Sequence, residues 1–171
     1  MLRRNIALGM ILLCTYTLQA QQYVRSNEHI ITSFYTTQHK RAVIAVDNDD
    51  KYIVYRYGTS KKIEMEYPAY DTTSWHKMQF YWYLRPSMGT NDGLDIYNIS
   101  FVRDTFRYVI SQTNSGDGGE KLGITILNLK GKILTKIPGV LRTQKGHLME
   151  LRSYEDQLSR GKEVYADPNI N

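Results

Sequence analysis

Alternating apolar and polar residues repeat in short runs along the chain from Arg41 onward. The clearest run follows Gly58 and alternates apolar with charged side chains: Lys62, Ile63, Glu64, Met65, Glu66 and Tyr67. Successive side chains of a β-strand point to opposite faces, so this run predicts a strand with one buried face and one face in water. Pro68 ends the run, because proline has no N–H to donate to a β-ladder.

Eight runs have strand character and are separated by turn residues: 41–46, 51–57, 62–67, 78–84, 94–102, 106–112, 121–129 and 132–137. A parallel return needs about a dozen residues or more, and the turns here are shorter, so neighbouring strands are predicted to be antiparallel. The predicted fold class is all-β: an antiparallel meander of about eight strands, arranged as a barrel or a sandwich. The pattern of residues 21–33 is ambiguous and predicts no single element. The apolar residues around Ile31 and Phe34 suit a further edge strand.

One short C-terminal helix is predicted near residues 147–158. Leu148, Leu151 and Leu158 recur there at helical offsets, and a glycine stands on either side of the segment. A helix at this point of the chain is placed to cover an open end of the strands.

The chain is interpreted as one domain spanning residues 21–161, since it shows neither an internal repeat nor a linker. Residues 162–171 have little apolar surface to bury. They are therefore predicted to form a flexible tail.

Residues 1–20 have the pattern of a signal peptide. Arg3 and Arg4 give a positively charged start, an apolar stretch follows, and the segment ends with a small-residue cleavage site at Ala20. Cleavage after Ala20 predicts a periplasmic or secreted protein that begins at Gln21. About 13 apolar residues span only about 20 Å as a helix, less than the roughly 30 Å of a bilayer core, so no stable membrane insertion is expected after leader cleavage.

The composition is that of an ordinary globular protein: the 171 residues are 42% hydrophobic, 12% aromatic and 23% charged, which excludes a disordered chain. Without the leader the net charge falls from +5 to +3, because two of the 22 basic residues are lost against 17 acids. Basic residues are interspersed with acids, as at 61–66, which is typical of a solvated surface. No nucleic acid partner is therefore predicted.

The only cysteine, Cys14, falls within the leader. The processed chain is therefore predicted to have no disulfide, no thiolate metal ligand and no cysteine nucleophile. A lipoprotein anchored through Cys14 is disfavoured, because residues 11–13 are bulky where a lipid-modification signal has a small residue. The four histidines are far apart in the sequence: His29, His39, His76 and His147. No metal site and no cofactor are therefore predicted.

No catalytic motif is found, since the chain has no His-Glu-x-x-His, no Gly-x-Ser-x-Gly and no phosphate-binding loop. Glu64 and Glu66 lie about 7 Å apart on one strand face, but paired catalytic carboxylates flank the scissile bond from opposite sides. They are interpreted as members of a solvated ion-pair ladder with Lys62. The acidic turn at 47–50 lacks calcium-loop spacing, because Lys51 stands where an acid is required. We therefore expect no catalytic residue and no enzyme activity.

Aromatic and arginine side chains are concentrated on the predicted strands, and six of them are candidate binding residues: Tyr55, Tyr57, Tyr81, Tyr83, Arg85 and Tyr97. On an outer face or at a barrel mouth, their flat surfaces and hydroxyl groups would suit a sugar ring or a partner protein. The alternative is cross-strand aromatic pairing that covers the sheet, worth roughly 0.2 to 1 kcal/mol per pair.

Two stretches carry a resemblance to known proteins: KYIVYRYGTSKKIEMEYP at 51–68 and FYWYLRPSMGTNDGLDIYNISFVRDTFRYVI at 80–110. The first stretch contains a Tyr-Arg-Tyr-Gly and Lys-Ile-Glu strand pair. Both stretches resemble a group of small exported bacterial proteins, of the Bacteroidetes type, with no assigned function. That resemblance implies export and an all-β fold, and it supplies no functional residue. Members commonly have a cysteine pair flanking the preceding strand, whereas SFYTTQHKRAVIAV at 33–46 has none.

A looser likeness is to the periplasmic lysozyme inhibitors, which are small exported antiparallel β-proteins. Their inhibitory loop has a Ser-Gly-x-x-Tyr character. In this chain Ser115-Gly116 is followed by Asp-Gly-Gly, without the tyrosine. The likeness is therefore one of size, compartment and class.

The favoured hypothesis is an exported, non-enzymatic β-domain that binds a protein or glycan partner through an exposed face of tyrosine and arginine. One alternative is an inhibitor of a cell-wall hydrolase that uses loop 87–93 or loop 114–119. A second alternative is a carbohydrate-binding or carbohydrate-active protein.

Overall fold

The structure is a computed structural model that describes residues 22–69, 73–88, 93–116 and 118–161. The predicted leader, its cleavage point and the predicted tail at 162–171 lie outside the described residues. The described residues form eleven β-strands and three short 3-10 helices. The strands make two sheets.

The first sheet contains β1 to β4 and the two-residue strand β10: Glu28–Tyr35, Arg41–Asp47, Ile53–Thr59, Lys62–Tyr67 and Lys145–Gly146. Its order is β10-β1-β2-β3-β4, and every neighbour is antiparallel. The segment that the sequence left open therefore supplies β1, which is paired on both sides.

The second sheet contains β5 to β9 and the two-residue strand β11: Gln79–Arg85, Leu94–Arg103, Phe106–Ser115, Gly119–Asn128, Ile133–Pro138 and Ser159–Arg160. Its order is β11-β5-β6-β7-β8-β9. All neighbours are antiparallel except β11, which runs parallel to β5.

One face of each sheet packs into a shared hydrophobic core. The first sheet contributes Phe34, Ile44 and Tyr55 among others, and the second contributes Phe101 and Ile124. The predicted all-β antiparallel fold is thereby confirmed. Of the two predicted arrangements, the structure is a sandwich.

The outer face of the first sheet carries a second, smaller core. Tyr23 and Val24, which precede β1, pack there against Val43, Tyr52 and Val54. Strand β3 is consequently buried on both faces. Its alternating pattern therefore separates two cores instead of a core from solvent.

The predicted C-terminal helix is present as a shorter 3-10 helix, Leu148–Tyr154, instead of an α-helix over 147–158. The spacing explains the difference, because a 3-10 helix repeats every three residues and so places Leu148, Leu151 and Tyr154 on one side. Both leucines are 0% exposed and belong to the shared core. Within the described ranges, no helix is long and apolar enough to cross a bilayer.

A capping box fixes the start of this helix. The main-chain N–H of Met149 donates to His147 Nδ1 (2.9 Å), and the N–H of His147 donates to Glu150 Oε1 (3.2 Å). Burial lowers the pKa of His147, which favours the unprotonated Nδ1 that this bond requires.

Candidate functional site

Strand β5 presents three of the six predicted binding residues on the outer face of the second sheet. Its alternation directs Phe80 into the core, where it is 4% exposed, while Trp82 and Leu84 pack against the core at its margin. The opposite face carries Tyr81, half-buried, and Tyr83 and Arg85, both exposed, with Tyr83 at 40%. Side chains two residues apart on a strand share a face, so these three form one continuous surface.

The other three predicted residues do not belong to this surface. Tyr55 and Tyr97 are each 2% exposed and lie in the shared core. Tyr55 packs on Phe101 with 5.3 Å between ring centroids, and Tyr97 meets the edge of His147 at 5.2 Å. Tyr57 is half-buried and stacks beside Tyr55. The prediction of an exposed face is therefore wrong for Tyr55 and Tyr97, because both strand faces carry apolar residues and the sequence does not mark which one is inner.

A groove of about 360 Å³ runs beside β5. Its lining comes from β5 and from the chain around β11: Phe80, Tyr81, Trp82, Glu155, Asp156, Leu158, Ser159 and Arg160. The lining combines apolar side chains with charged side chains of both signs. This combination suits a partner segment with both apolar and polar side chains.

The chain around β11 is held against β5 by main-chain hydrogen bonds. The N–H of Ser159 donates to the carbonyl of Met78 (3.2 Å), and the N–H of Gly161 donates to the carbonyl of Phe80 (2.7 Å). The Ser159 hydroxyl adds a bond to the carbonyl of His76 (3.3 Å). The wall of the groove is therefore tied to the sheet and does not depend on a ligand for its position.

Beyond Phe80 the edge of β5 continues without a strand beside it in the described part of the chain. The carbonyls of Met78 and Phe80 point away from β6. The same alternation therefore directs the main-chain N–H and C=O groups of Trp82 and Leu84 outward. An edge of this kind offers donors and acceptors to an extended chain.

An arginine lies over the aromatic ring at the same edge. The guanidinium carbon of Arg152 is 4.4 Å from the centroid of Trp82. The helix that carries Arg152 is fixed in turn by Tyr154, which stacks on Trp75 at 4.9 Å. Burial, followed by the charge of Asp50, raises the pKa of Tyr154, so this ring stays neutral at ordinary pH.

The carboxylates considered for catalysis make ion pairs across strands. Glu64 bonds Lys40, and Glu66 bonds Arg56 and Arg25. Their partners therefore come from neighbouring parts of the fold, and among the described residues no ion pair joins either carboxylate to Lys62. Among the described residues, no group of three or more His, Cys, Asp or Glu side chains is arranged to hold a metal ion.

A buried charge cluster on the outer face of the first sheet was missed by the sequence reasoning. Arg56 donates to Glu28 through Nη1 to Oε2 (2.6 Å) and Nη2 to Oε1 (2.8 Å), and through Nε to Glu66 (2.6 Å). Its Nη1 also donates to the carbonyl of Tyr23 (2.9 Å). The only indication in the sequence is a single charged residue within β3. No pattern marks residues 22–27 as the segment that covers this residue.

Both members of the central pair are held in their charged forms. Burial would raise the pKa of the Glu28 carboxyl, but hydrogen bonds from Arg56, from the Arg25 N–H and from Tyr52 hold that pKa below its ordinary value. Burial would lower the pKa of Arg56, but its bonds to Glu28 and Glu66 raise it instead. The cluster fastens the segment before β1 to β3 and β4, which gives it a structural role.

Comparison of the chain with protein-family models, with curated proteins and with solved structures gives no match.

Proposed function

We propose that this chain is an exported, non-enzymatic binding domain whose partner contacts the outer face of β5. The observation that carries the proposal is the surface formed by Tyr81, Tyr83 and Arg85 beside a groove of about 360 Å³. Export rests on the signal-peptide pattern of residues 1–20.

The chemistry of this surface suits a macromolecular partner. Tyrosine and arginine are enriched among the residues that dominate binding energy, because each offers a large flat contact and polar groups. The neighbouring groove has Phe80 and Trp82 among its lining residues. A bound segment would therefore bury aromatic surface and keep polar contacts at the margin.

The test removes the side chains of this surface and leaves its core face intact. The variant Tyr81→Ala, Tyr83→Ala, Arg85→Ala is compared with the parent chain from Gln21 in cross-linking with cell-envelope extract. A matched control is Tyr35→Ala, Arg142→Ala, because Tyr35 is 41% exposed and Tyr83 is 40% exposed. Circular dichroism and thermal unfolding establish that each variant is folded.

We expect the same cross-linked species with the parent and the control, and its loss with the triple variant. The affinity of each chain for the purified cross-linked partner is then measured by calorimetry. Removal of two or three hot-spot side chains is expected to weaken binding by at least about tenfold. Equal capture by the triple variant and the control would show that β5 is not the binding surface. A glycan array in parallel distinguishes a carbohydrate partner from a protein partner.

A second candidate function is inhibition of a cell-wall hydrolase, favoured by the position of the two predicted loops. The N–H of Gly116 donates to the carbonyl of Gly93 (3.0 Å), so the β5–β6 and β7–β8 connections lie side by side at one end of the second sheet. Residues 89–92 and Asp117 lie outside the described residues. Titration of lysozymes and other peptidoglycan hydrolases at micromolar protein tests this candidate, and full retention of their activity would remove it.

A further inference from the structure

Two β-hairpin turns lie side by side at one end of the second sheet. The first turn joins β6 to β7, and the second joins β8 to β9. In the ladder Phe106 pairs with both Arg103 and Asn128, so both turns project in the same direction. We call residues 102–107 and 128–136 together the basic hairpin end.

The second turn is held by its own hydrogen bonds. Asn128 Oδ1 accepts the N–H groups of Lys130 (3.0 Å) and Lys132 (2.9 Å), and the Asn128 carbonyl accepts that of Gly131 (3.0 Å). Gly131 adopts φ 83°, which glycine tolerates without strain. The side chains on this turn are therefore presented from a fixed backbone.

Exposed apolar side chains are concentrated at the basic hairpin end. Of the ten large hydrophobic residues exposed among the described residues, five lie here: Val102 (38%), Phe106 (39%), Leu129 (61%), Ile133 (40%) and Leu134 (47%). They come from strands β6, β7 and β9 and from the β8–β9 turn. Clusters of this kind on a folded surface mark interaction sites.

Positive charge is concentrated at the same place. The basic hairpin end has one acid, Asp104, and five basic residues: Arg103, Arg107, Lys130, Lys132 and Lys136. Arg107 donates to the neutral Gln79 (2.8 Å), and Arg103 is 3.9 Å from Asp104. Within the described ranges, no carboxylate lies at ion-pair distance from the three lysines. Among the residues that the structure describes, the excess of four positive charges is therefore not offset by ion pairs.

We propose that the basic hairpin end binds the surface of an anionic lipid bilayer. Protruding apolar side chains enter the boundary between headgroups and acyl chains, while lysine and arginine stay at the level of the lipid phosphates. A soluble polyanion would use the charges and leave Leu129 and Leu134 in water. The combination of both features therefore favours a lipid surface.

This surface is separate from the one in the proposed function. Gln79 of β5 lies beside the basic hairpin end through its bond with Arg107, whereas Arg85 pairs with Leu94 near the opposite end of the sheet. A protein bound to lipid in this way would hold Arg85 and the adjoining loops away from the membrane. The two proposals can consequently fail independently.

The test is sedimentation with vesicles of phosphatidylcholine, either pure or containing about one-third phosphatidylglycerol. The full chain and the chain from Gln21 are used in parallel, because every described strand is retained in the second and the apolar leader is absent from it. One variant is Leu129→Ser, Leu134→Ser, and its control is Leu141→Ser, Met149→Ser, which alters residues that are 40% and 48% exposed elsewhere. The charge variant is Lys130→Glu, Lys132→Glu, and its control is Lys61→Glu, Lys62→Glu, which alters the exposed turn residue before β4 and the exposed first residue of β4.

We expect the chain from Gln21 to bind the anionic vesicles and not pure phosphatidylcholine, and to be released by added salt. The lysine variant should bind at least about twentyfold more weakly, since each basic side chain near an anionic surface contributes a factor of about five. The leucine variant should bind about tenfold more weakly, and both controls should match the parent.

Absence of binding to the anionic vesicles would overturn the proposal. An unchanged affinity in the leucine variant would also overturn it, because the apolar side chains would then make no contact with lipid. Equal losses in the two lysine variants would show that binding follows net charge and not this end of the sheet.

Discussion

Arg56 and Glu28 form an ion pair with two hydrogen bonds in a place almost closed to solvent, where their side chains are 1% and 0% exposed. Taking two charges out of water costs several kcal/mol per ion, and only well-formed hydrogen bonds offset that cost. The requirement is met for Glu28: Oε1 accepts from Tyr52 and Arg56, and Oε2 accepts from the Arg25 N–H and Arg56. Removal of one partner would therefore leave the other charged and buried.

The first prediction concerns the loss of that carboxylate. Glu28→Gln should lower the free energy of unfolding by roughly 3 kcal/mol, because the Arg56 guanidinium loses its buried counter-ion. Urea denaturation of the chain from Gln21 measures the change. Glu64→Gln makes the same chemical change at an exposed pair with Lys40, and its effect should be far smaller. Equal effects would contradict a special role for the buried pair.

The second prediction concerns acid. The folded-state pKa of Glu28 is lower than its ordinary value, so its ionised form stabilises the fold above the unfolded-state pKa of about 4.3. That contribution is lost as the pH falls through the folded-state pKa. Urea midpoints of the parent chain should fall from neutral pH toward pH about 3, and the Glu28→Gln variant should show a shallower dependence. Parallel curves would refute this assignment.

The third prediction concerns alkali. Burial, followed by the charge of Glu64, raises the pKa of Tyr23 to about 12, and its hydroxyl donates to the carbonyl of Thr59 (2.8 Å). Because the folded-state pKa is raised, the neutral phenol contributes its full stabilisation below about pH 10 and loses it as the pH rises toward the folded value. Urea midpoints should therefore fall between about pH 10 and 12, and less steeply in Tyr23→Phe. The same slope in both proteins would be the contrary result.

The fourth prediction compares two glycines with positive φ. A Cβ on Gly146 would lie 2.1 Å from the carbonyl oxygen of Ile31, whereas a Cβ on Gly131 would meet nothing within 4 Å. Gly131→Ala should cost about 1 kcal/mol, from backbone conformation alone. Gly146→Ala should cost clearly more, because β10 must also move away from β1. Thermal unfolding of the two variants measures the difference, and similar losses would exclude a steric contribution.

Strands β2 to β9 could be predicted because each carries its own alternation. The run from Lys62 to Tyr67 is an example, because β4 has the predicted bounds. Its predicted apolar face is only partly right, since a register shift opposite β3 puts Ile63 against the outer core while Met65 and Tyr67 pack against the shared core. Tyr81 and Tyr83 were also placed correctly on one face, since Phe80, Trp82 and Leu84 mark the other as inner.

The inner face could not be predicted where both faces are apolar. Tyr97 alternates with Ile96 and Asn98, all three are buried, and only the packing of the sheets places Tyr97 in the shared core. The burial of Arg56 could not be predicted, because the sequence gives no sign that Tyr23 returns over β3. Burial of this kind depends on contacts between distant segments.

The basic hairpin end was missed for the same physical reason. Phe106 and Leu129 are separated along the chain, and the register of β7 with β8 brings their turns together. Charge counts along the sequence dilute the lysines and arginines among acids, whereas the fold gathers them at one end. A sequence-average charge therefore understates the local one.

The chain after β9 closes the two sheets in succession. Its strand β10 borders β1 in the first sheet, its leucines Leu148 and Leu151 enter the space between the sheets, and its strand β11 borders β5 in the second. A nascent polypeptide on the ribosome cannot have all three contacts until synthesis has passed Gly161. Both sheets therefore depend on the same late segment, and neither can be completed from the strands that precede it.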